Sequence, residues 1–205
     1  MKIIAFVGLK QSGKSTACAY LEGKINNTTR VNFKDALVKE TMSGFPDLLR
    51  EIAHTKYCGN GIEQAIDDLF TTKPPLMRAL MQNFGTEVRR KQDPEYWVKR
   101  WQQTAAKELA NGVTVLTDDV RFKNEAQAVK SAGGILIRLK RTDMVRTDAH
   151  SSEVEQESIK CDYTITCGKG DHEILYRELD AVIETNKKGI IHNGIIDGEP
   201  IKDIL

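Results

Sequence analysis

The sequence of 205 residues carries little net charge and few cysteines, and it has no long apolar run. Its formal net charge of +1 excludes the broad basic field that drives nonspecific binding to nucleic acid. The four cysteines do not form the paired C-x-x-C spacing of a zinc or redox site, so we expect reduced, partly buried thiols. No apolar run approaches the length of a transmembrane helix. These absences predict a small anionic ligand held by local charges, with neither nucleic acid nor membrane as a partner.

The sequence also shows no signal peptide, internal repeat or low-complexity tract. The apolar run at 3–7 is shorter than the apolar core of a signal peptide, and it leads directly into a glycine-rich loop. A chain of this length can bury a proper core as one α/β domain with insertions. We therefore expect a soluble protein of the cytoplasm.

The most informative segment that is present is GLKQSGKS at 8–15, which matches the phosphate-binding pattern G-x-x-x-x-G-K-[ST]. Strand-forming residues precede it and a helical pattern follows, so the loop lies where a strand turns into a helix. Backbone N–H groups of such a loop bind phosphate oxygens, and the helix N-terminus adds positive potential. We expect Lys14 to reach the β- and γ-phosphates and the Ser15 hydroxyl to bind Mg²⁺. The residues predicted to bind the nucleoside triphosphate are Gly8, Lys10, Gln11, Ser12, Gly13, Lys14, Ser15 and Thr16.

Strands that alternate with helices predict a parallel sheet covered by helices. Five segments have the composition of strands, at 3–7, 30–33, 113–117, 134–139 and 163–166. Between the second and third strands, helical periodicity predicts helices at 34–44, 62–70, 75–91 and 94–110. So long an insertion in a compact domain is usually functional. Further helices are predicted at 121–132 and 171–186, followed by a tail at 186–205 that forms a hairpin or a loose arm.

Two aspartates and an arginine follow the third predicted strand, at Asp118, Asp119 and Arg121. Ligands of open α/β sheets bind at the carboxyl ends of strands, where the phosphate-binding loop also lies. A carboxylate there can hold Mg²⁺ through water, and the guanidinium can bind a phosphate with two parallel hydrogen bonds. The alternative is a helix start, with Asp118 or Asp119 as its N-cap. Both interpretations can hold together.

A second polar cluster lies within the helical insertion, around Gln82, Glu87 and Arg90. A guanidinium beside amides and carboxylates suits a phosphorylated acceptor, with arginine on its phosphate and Gln or Glu on its base edge. The alternative is a cationic helix end that the helix dipole favours. The nearby Trp97 is expected in the core rather than as a stacking surface.

A third cluster is the basic segment between the fourth and fifth predicted strands, with Arg138, Arg141 and Arg146 ahead of His150 and Glu153. In kinases, a lid that closes over the triphosphate lies at this point of the chain. The arginines of such a lid stabilise charge on the transferring phosphoryl group. The alternative is a charged surface loop followed by a helix capped by a serine. The two interpretations of Arg141 and Arg146 stay open.

Four motifs in a fixed order resemble the deoxynucleoside monophosphate kinases of tailed bacteriophages. They are Gly8-x-Lys10-x-Ser12-Gly13-Lys14, then Gln82 with Gly85-Thr86-Glu87 and Arg90, then Asp119-Val120-Arg121-Phe122 with Asn124-Glu125, and finally His150-x-Ser152-Glu153. The resemblance covers residues 1 to about 185, as one kinase domain, and not the tail. One departure is Ser15, where some members carry Asp, and serine is the ordinary Mg²⁺ ligand.

This resemblance implies the three-layer P-loop fold with a five-stranded parallel sheet, and transfer of phosphate from ATP to a deoxynucleoside 5′-monophosphate (dNMP) for DNA precursor synthesis, with Mg²⁺. It makes the insertion at about 34–111 the monophosphate-binding region and 140–155 the lid. The implied acceptor residues are Lys10, Asp35, Gln82, Glu87, Arg90, Arg121, Glu125 and Glu153. The implied catalytic residues are Lys14, Arg121, Arg141 and Arg146, and the metal ligands are Ser15 and Asp119. Whether the protein is a homodimer is left open.

Other classes of P-loop protein fit less well. A GTPase needs a guanine-reading N-K-x-D, and the segment Asn186-Lys187-Lys188-Gly189 has glycine in place of the aspartate. A nucleotide-driven motor on nucleic acid needs more basic surface and a longer chain. A kinase of another small phosphorylated acceptor, such as a metabolite or dephospho-coenzyme A, is the nearer alternative. Arg90 and Arg121 would serve any such acceptor.

Overall fold

Apolar segments of the chain pair into a parallel sheet in the order β2-β3-β1-β4-β5. The computed structural model describes residues 2–56, 62–143 and 155–187. In these ranges the strands are β1 (Ile3–Val7), β2 (Thr28–Arg30), β3 (Thr114–Val120), β4 (Ile135–Arg141) and β5 (Tyr163–Cys167). Every neighbouring pair is parallel. The predicted class, an α/β protein with a five-stranded parallel sheet, is confirmed.

Helices cover both faces of this sheet, because the side chains of the central strand β1 alternate between the faces. Ile4 and Phe6 belong to a buried cluster that includes Leu21 of α1 (Lys14–Lys24) and Leu179 of α8 (His172–Lys187). Ile3 points to the other face. There, a Cβ placed on Gly134 would lie 2.9 Å from Ile3 and 2.8 Å from Val129 of α7 (Lys123–Ser131). The sheet is therefore the middle of three layers.

The chain divides into two compact units, one of Met1–Asn32 with Gln102–Leu205 and the other of Phe33–Trp101. The second unit contains α2 (Phe33–Gly44), α3 (Pro46–Lys56), α4 (Ile62–Thr72), α5 (Pro75–Gln82), a π-helix (Asn83–Arg90) and the first part of α6 (Tyr96–Ala110). It has a core of its own, formed by Leu49, Ile52, Ala53, Ala65, Leu69, Met77 and Met81. The rings of Phe33 and Trp101, the first and last residues of this unit, stack with their centroids 4.9 Å apart.

Several predicted boundaries differ from the structure. The second strand ends at Arg30, and Phe33 begins α2 because its ring is buried in the helical unit rather than in the sheet. The helix predicted at 75–91 changes to π-helical winding at Asn83, and α3 was not predicted. The third strand continues through Asp119 to Val120, so neither aspartate is a helix N-cap. That position belongs to Phe122.

Parts of two predictions lie outside the described residues. They are 144–154 of the proposed lid, with Arg146, His150 and Glu153, and 188–205 of the tail. The start of the predicted tail is helical, since α8 continues to Lys187. No helix in the described ranges combines the length and the apolar character that crossing a membrane requires.

A pair of glycine substitutions tests the close packing where β1 ends. Gly8 has a φ of +155°, and a Cβ there would lie 2.4 Å from the carbonyl oxygen of Leu139 in β4. We expect Gly8→Ala to lower the free energy of unfolding by about 2 kcal/mol or more, through clash and backbone strain. Gly23 in α1 has no atom within 4 Å of its built Cβ, so Gly23→Ala should raise stability by up to about 1 kcal/mol. Urea unfolding of both variants measures the difference, and equal effects would contradict the close approach at Gly8.

A second prediction concerns the thiol of Cys18, which is fully buried on the inner face of α1. Burial, and next the nearby Asp118 carboxylate, raise its pKa from 9.0 to about 12. Since the thiolate is the reactive species, we expect no alkylation of Cys18 in the folded protein at pH 8 and full alkylation in guanidinium chloride. Mass mapping of iodoacetamide-treated protein measures this. Rapid labelling of Cys18 under native conditions would contradict its burial.

Candidate active site

The loop from Gly8 to Gly13 joins β1 to α1 and presents the N-terminus of that helix. Its turn depends on left-handed backbone at Gly13, with a φ of +97°, and at Gln11, with a φ of +65°. The Ser12 amide donates to the Leu9 carbonyl at 3.1 Å and tightens the turn. Gly13 is the N-cap of α1 and has no side chain to cap it, so the amides of the first helical turn stay available to an anion.

Lys14, the first residue of α1, folds back over this loop. Its ammonium donates to the carbonyl oxygens of Gly8 at 2.6 Å and Leu9 at 2.7 Å. A third, longer contact reaches the Ser12 hydroxyl at 3.4 Å. The ammonium is thus held at the rim of the loop, where it places positive charge beside the phosphate-binding turn. Such a charge attracts the oxygens of a bound phosphate.

Ser15 lies beside the carboxyl end of β3. Its hydroxyl donates to Asp118 Oδ2 at 2.8 Å, and the Asp118 amide donates to the Asn32 side-chain oxygen at 2.9 Å. Only 5% of Asp118 is exposed. Hydroxyl and carboxylate oxygens are ligands that Mg²⁺ accepts, and Mg²⁺ is typically bound by one or two such groups together with substrate phosphates and water. The donor pair therefore fits this ion, although the described residues contain no cluster of three or more His, Cys, Asp or Glu that could hold a metal.

The contact falls on Asp118, whereas the resemblance implied Asp119 as the metal ligand. The two carboxylates follow each other in β3 where its pairing with β1 is irregular, because Ala5 pairs with Thr117 and Val7 with Val120, which leaves Asp118 and Asp119 opposite a single residue. Asp119 is 9% exposed. The hydrogen bond from Ser15 shows that Asp118 faces the phosphate-binding loop.

Arg30, at the end of β2, was not identified from the sequence. Its guanidinium contacts the carboxylate of Glu22 through two hydrogen bonds of 2.6 and 2.7 Å, and its Nη1 lies 3.8 Å from Asp118 Oδ2. The hydrogen bond to Glu22 is the main reason that the pKa of Arg30 is raised. Arg30 thus adds positive charge next to Asp118. The predicted strand 30–33 began at Arg30, so its place at the carboxyl end of a strand could not be seen from the sequence.

The carboxylate of Glu125 accepts hydrogen bonds from the backbone at and after Arg121. Its Oε2 accepts the amide of Arg121 at 2.8 Å and the amide of Phe122 at 3.2 Å, as the reciprocal half of a helix capping box. Only 2% of Glu125 is exposed, while Arg121 is half-buried. These contacts orient Arg121 at the start of α7.

Arg141, the last residue of β4, reaches back to the phosphate-binding loop. Its Nη1 donates to the Gln11 carbonyl at 3.1 Å, and Asp143 accepts two hydrogen bonds from the same guanidinium. A pocket of about 130 Å³ opens beside it, between the loop and the segment after β5 that contains Gly168, Gly170 and His172. This segment was not identified from the sequence, although its two glycines after a strand were a signal for it. Arg138, by contrast, donates to the carbonyls of Gln156 and Ile159 and is bound by backbone.

The remaining predicted residues divide between the two units. Lys10 is exposed in the loop, and Thr16 is half-buried in α1. Asp35 lies in the first turn of α2, Gln82 ends α5, and Glu87 and Arg90 lie in the π-helix, all within Phe33–Trp101. In the first unit the structure brings together Lys14, Ser15 and Arg141 around the loop, and Ser15 meets Asp118.

Comparison with known proteins identifies the family. The model of the deoxynucleotide monophosphate kinase family matches residues 53–179. A protein of Acanthamoeba polyphaga mimivirus, named as a candidate deoxynucleotide monophosphate kinase, is 30% identical over 171 residues, which cover 78% of this chain and 84% of that protein.

Two solved structures are also similar to the chain. TT1252 from Thermus thermophilus has a TM-score of 0.47 and 15% identity, over 89% of this chain and 96% of its own. Dephospho-CoA kinase from Campylobacter jejuni has a TM-score of 0.46 and 15% identity, over 92% of this chain and 98% of its own. The family match and the viral relative together show that the chain belongs to the deoxynucleotide monophosphate kinase family.

Proposed function

We propose that this protein transfers the γ-phosphoryl group of ATP to the phosphate of a deoxynucleoside 5′-monophosphate, giving the diphosphate as a DNA precursor. The observation that carries the proposal is the hydrogen-bonded pair Ser15–Asp118 at the head of the phosphate-binding loop, in a chain of this family. Family membership supports a nucleotide as the substrate, and the loop supports the triphosphate as donor.

In this proposal the donor binds along the loop. The amides at the start of α1 hold its phosphates, and Lys14 moves from the carbonyls of Gly8 and Leu9 to the β- and γ-phosphates. The Ser15 hydroxyl and the Asp118 carboxylate would hold Mg²⁺, which when bound neutralises phosphate charge. Arg141 lies at the rim of the loop and adds positive charge where charge develops during transfer.

The acceptor in this proposal is bound by its phosphate and its base. Arg121, oriented by the backbone contacts of Glu125, binds the acceptor phosphate. We therefore assign Glu125 to positioning Arg121 rather than to touching the acceptor. The phosphate is already a nucleophile at neutral pH, so transfer is direct and in line and needs no general base.

The helical unit Phe33–Trp101 is proposed as the monophosphate-binding region. Asp35, Gln82, Glu87 and Arg90, which it carries, are its proposed acceptor ligands, together with Lys10 of the loop. We also propose that the segment 140–155, which contains Arg146 and Glu153, closes as a lid and excludes water.

A panel of acceptors tests the proposed reaction directly. With ATP and Mg²⁺ we expect diphosphate products from dNMPs, and a preference over the matching ribonucleotides of no more than about a hundredfold, because shape alone rejects an added hydroxyl weakly. Lys14→Met should fold normally and lose several orders of magnitude in turnover, since the ammonium stabilises charge on the β–γ bridge. Chromatography of the products measures both. Phosphorylation of dephospho-coenzyme A or another metabolite, with no dNMP used, would overturn the substrate assignment.

The neighbouring aspartates of β3 provide a matched test of metal binding. We expect Asp118→Asn to raise the Mg²⁺ concentration needed for half-maximal activity by about tenfold or more, because it removes the charged ligand beside Ser15. Asp119→Asn should shift this concentration much less, since the hydrogen bond from Ser15 goes to Asp118. Titration of activity with Mg²⁺ at saturating ATP separates the two variants. The reverse order would return the metal to Asp119.

A further inference from the structure

The guanidinium of Arg30 lies between two carboxylates, those of Glu22 in α1 and Asp118 in β3. Its Nε and Nη2 donate to the two carboxylate oxygens of Glu22 at 2.6 and 2.7 Å. Its Nη1 lies 3.8 Å from Asp118 Oδ2. All three residues belong to the same compact unit of the chain. One cationic side chain is therefore shared between two anionic ones.

The Asp118 oxygen nearest to Arg30 is the one that contacts Ser15. Asp118 Oδ2 accepts the Ser15 hydroxyl at 2.8 Å, and the same oxygen forms the ion pair with Arg30. Arg30 Nη2 also makes a longer contact, of 3.5 Å, with the Ser15 carbonyl oxygen. Arg30 thus places its charge next to both residues that are proposed to hold Mg²⁺.

The two carboxylates hold Arg30 in different ways. Its contact with Glu22 is short and bidentate, whereas the 3.8 Å to Asp118 is longer than a hydrogen bond. The side chain of Asp118 is 5% exposed, while those of Arg30 and Glu22 are 31% and 35% exposed. Glu22 therefore anchors the guanidinium, and Arg30 acts on the buried carboxylate through its charge, without a hydrogen bond that a metal ion would have to replace.

We infer that Arg30 is a positioning residue that sets the affinity of this site for its divalent cation. In the metal-free protein Arg30 compensates the buried charge of Asp118. When a cation binds at Asp118, Arg30 repels it, since two positive charges then lie close together. Glu22 limits this repulsion because it holds the guanidinium beyond hydrogen-bond distance from Asp118.

A consequence is that the site binds the cation weakly by itself and more tightly once nucleotide phosphates add negative charge. The cation then enters together with the phosphates, which are typical partners of Mg²⁺ in proteins. The inference rests on the proposed function through its metal site alone, because catalysis has no part in it.

Binding of Mn²⁺ alone to the full chain, without nucleotide, tests the inference. Mn²⁺ accepts the same oxygen ligands as Mg²⁺, and electron paramagnetic resonance measures its free concentration. We expect Arg30→Met to bind Mn²⁺ about tenfold more tightly than wild type, because the positive neighbour of Asp118 is removed. Arg30→Lys keeps the charge and should stay within about threefold of wild type. Addition of Asp118→Asn to Arg30→Met should abolish the tighter binding, which identifies the site.

Substitution of Glu22 should have the opposite effect. Glu22→Gln removes the anchor and makes the guanidinium available to Asp118, so we expect Mn²⁺ to bind about threefold or more weakly than in wild type. In the double variant with Arg30→Met this loss should shrink to about twofold or less, because Glu22 acts through Arg30. Lys24→Met and Asp180→Asn break a different ion pair, between α1 and α8, and are matched controls that should leave Mn²⁺ affinity unchanged.

Unfolding in urea adds a measurement that separates this role from that of a structural ion pair. Arg30→Met should lower the unfolding midpoint in EDTA and recover part of the loss in millimolar Mg²⁺, because the ion then compensates Asp118. A structural ion pair alone would give the same loss of midpoint in both buffers.

The outcomes separate this inference from the proposed function. The role of Arg30 would be overturned if Arg30→Met, shown to be folded by circular dichroism, bound Mn²⁺ no more tightly than wild type, including undetectable binding in every variant. An equal loss of midpoint in EDTA and in Mg²⁺ would overturn it as well. Mn²⁺ binding as inferred, with no phosphorylation of any dNMP, would instead overturn the proposed function and leave the role of Arg30 standing. Phosphorylation of dNMPs with unchanged Mn²⁺ affinity in Arg30→Met would retain the function and reject the inference.

Discussion

The site depends on the burial of one carboxylate, that of Asp118. A charge that is 5% exposed must be compensated nearby, since an isolated buried carboxylate is strongly destabilising. The Ser15 hydroxyl and the Arg30 guanidinium supply this compensation from the first helix and the second strand. Compensation of this buried charge therefore brings α1, β2 and β3 together. It also places the Ser15 hydroxyl and the Asp118 carboxylate side by side next to the phosphate-binding loop.

The elements that could be predicted are those whose signal is local. The loop at 8–15 follows from its glycine spacing between a strand and a helix, and the parallel sheet follows from apolar segments that alternate with helices. The choice between Asp118 and Asp119 could not be made, because it depends on how β3 pairs with β1. β3 continues to Val120 and has one extra residue relative to β1 between Thr117 and Val120, and such an irregularity changes the direction of the side chains locally.

Contacts between distant residues account for most of what the sequence did not reveal. Arg89 was not identified from the sequence, because its partners Glu40 and Tyr96 come from other helices. Glu125 was assigned to the acceptor, and its contact with two backbone amides is visible only once α7 is known to begin at Lys123. Phe33 has strand character, but stacking on Trp101 decides its helical state, as tertiary packing overrides propensity.

The π-helix at Asn83–Arg90 has a consequence for how chain length varies in this region. Each of its hydrogen bonds spans one more residue than in an α-helix, so the winding accommodates surplus chain without leaving the helix. Loss of one residue there would restore ordinary winding, and the fold would survive an insertion or deletion that elsewhere breaks a helix. Every side chain beyond the change would then turn by about 100° around the axis. If a relative lacks one residue in this segment, we therefore expect the two proteins to differ in the ligand that they bind and to share the same fold.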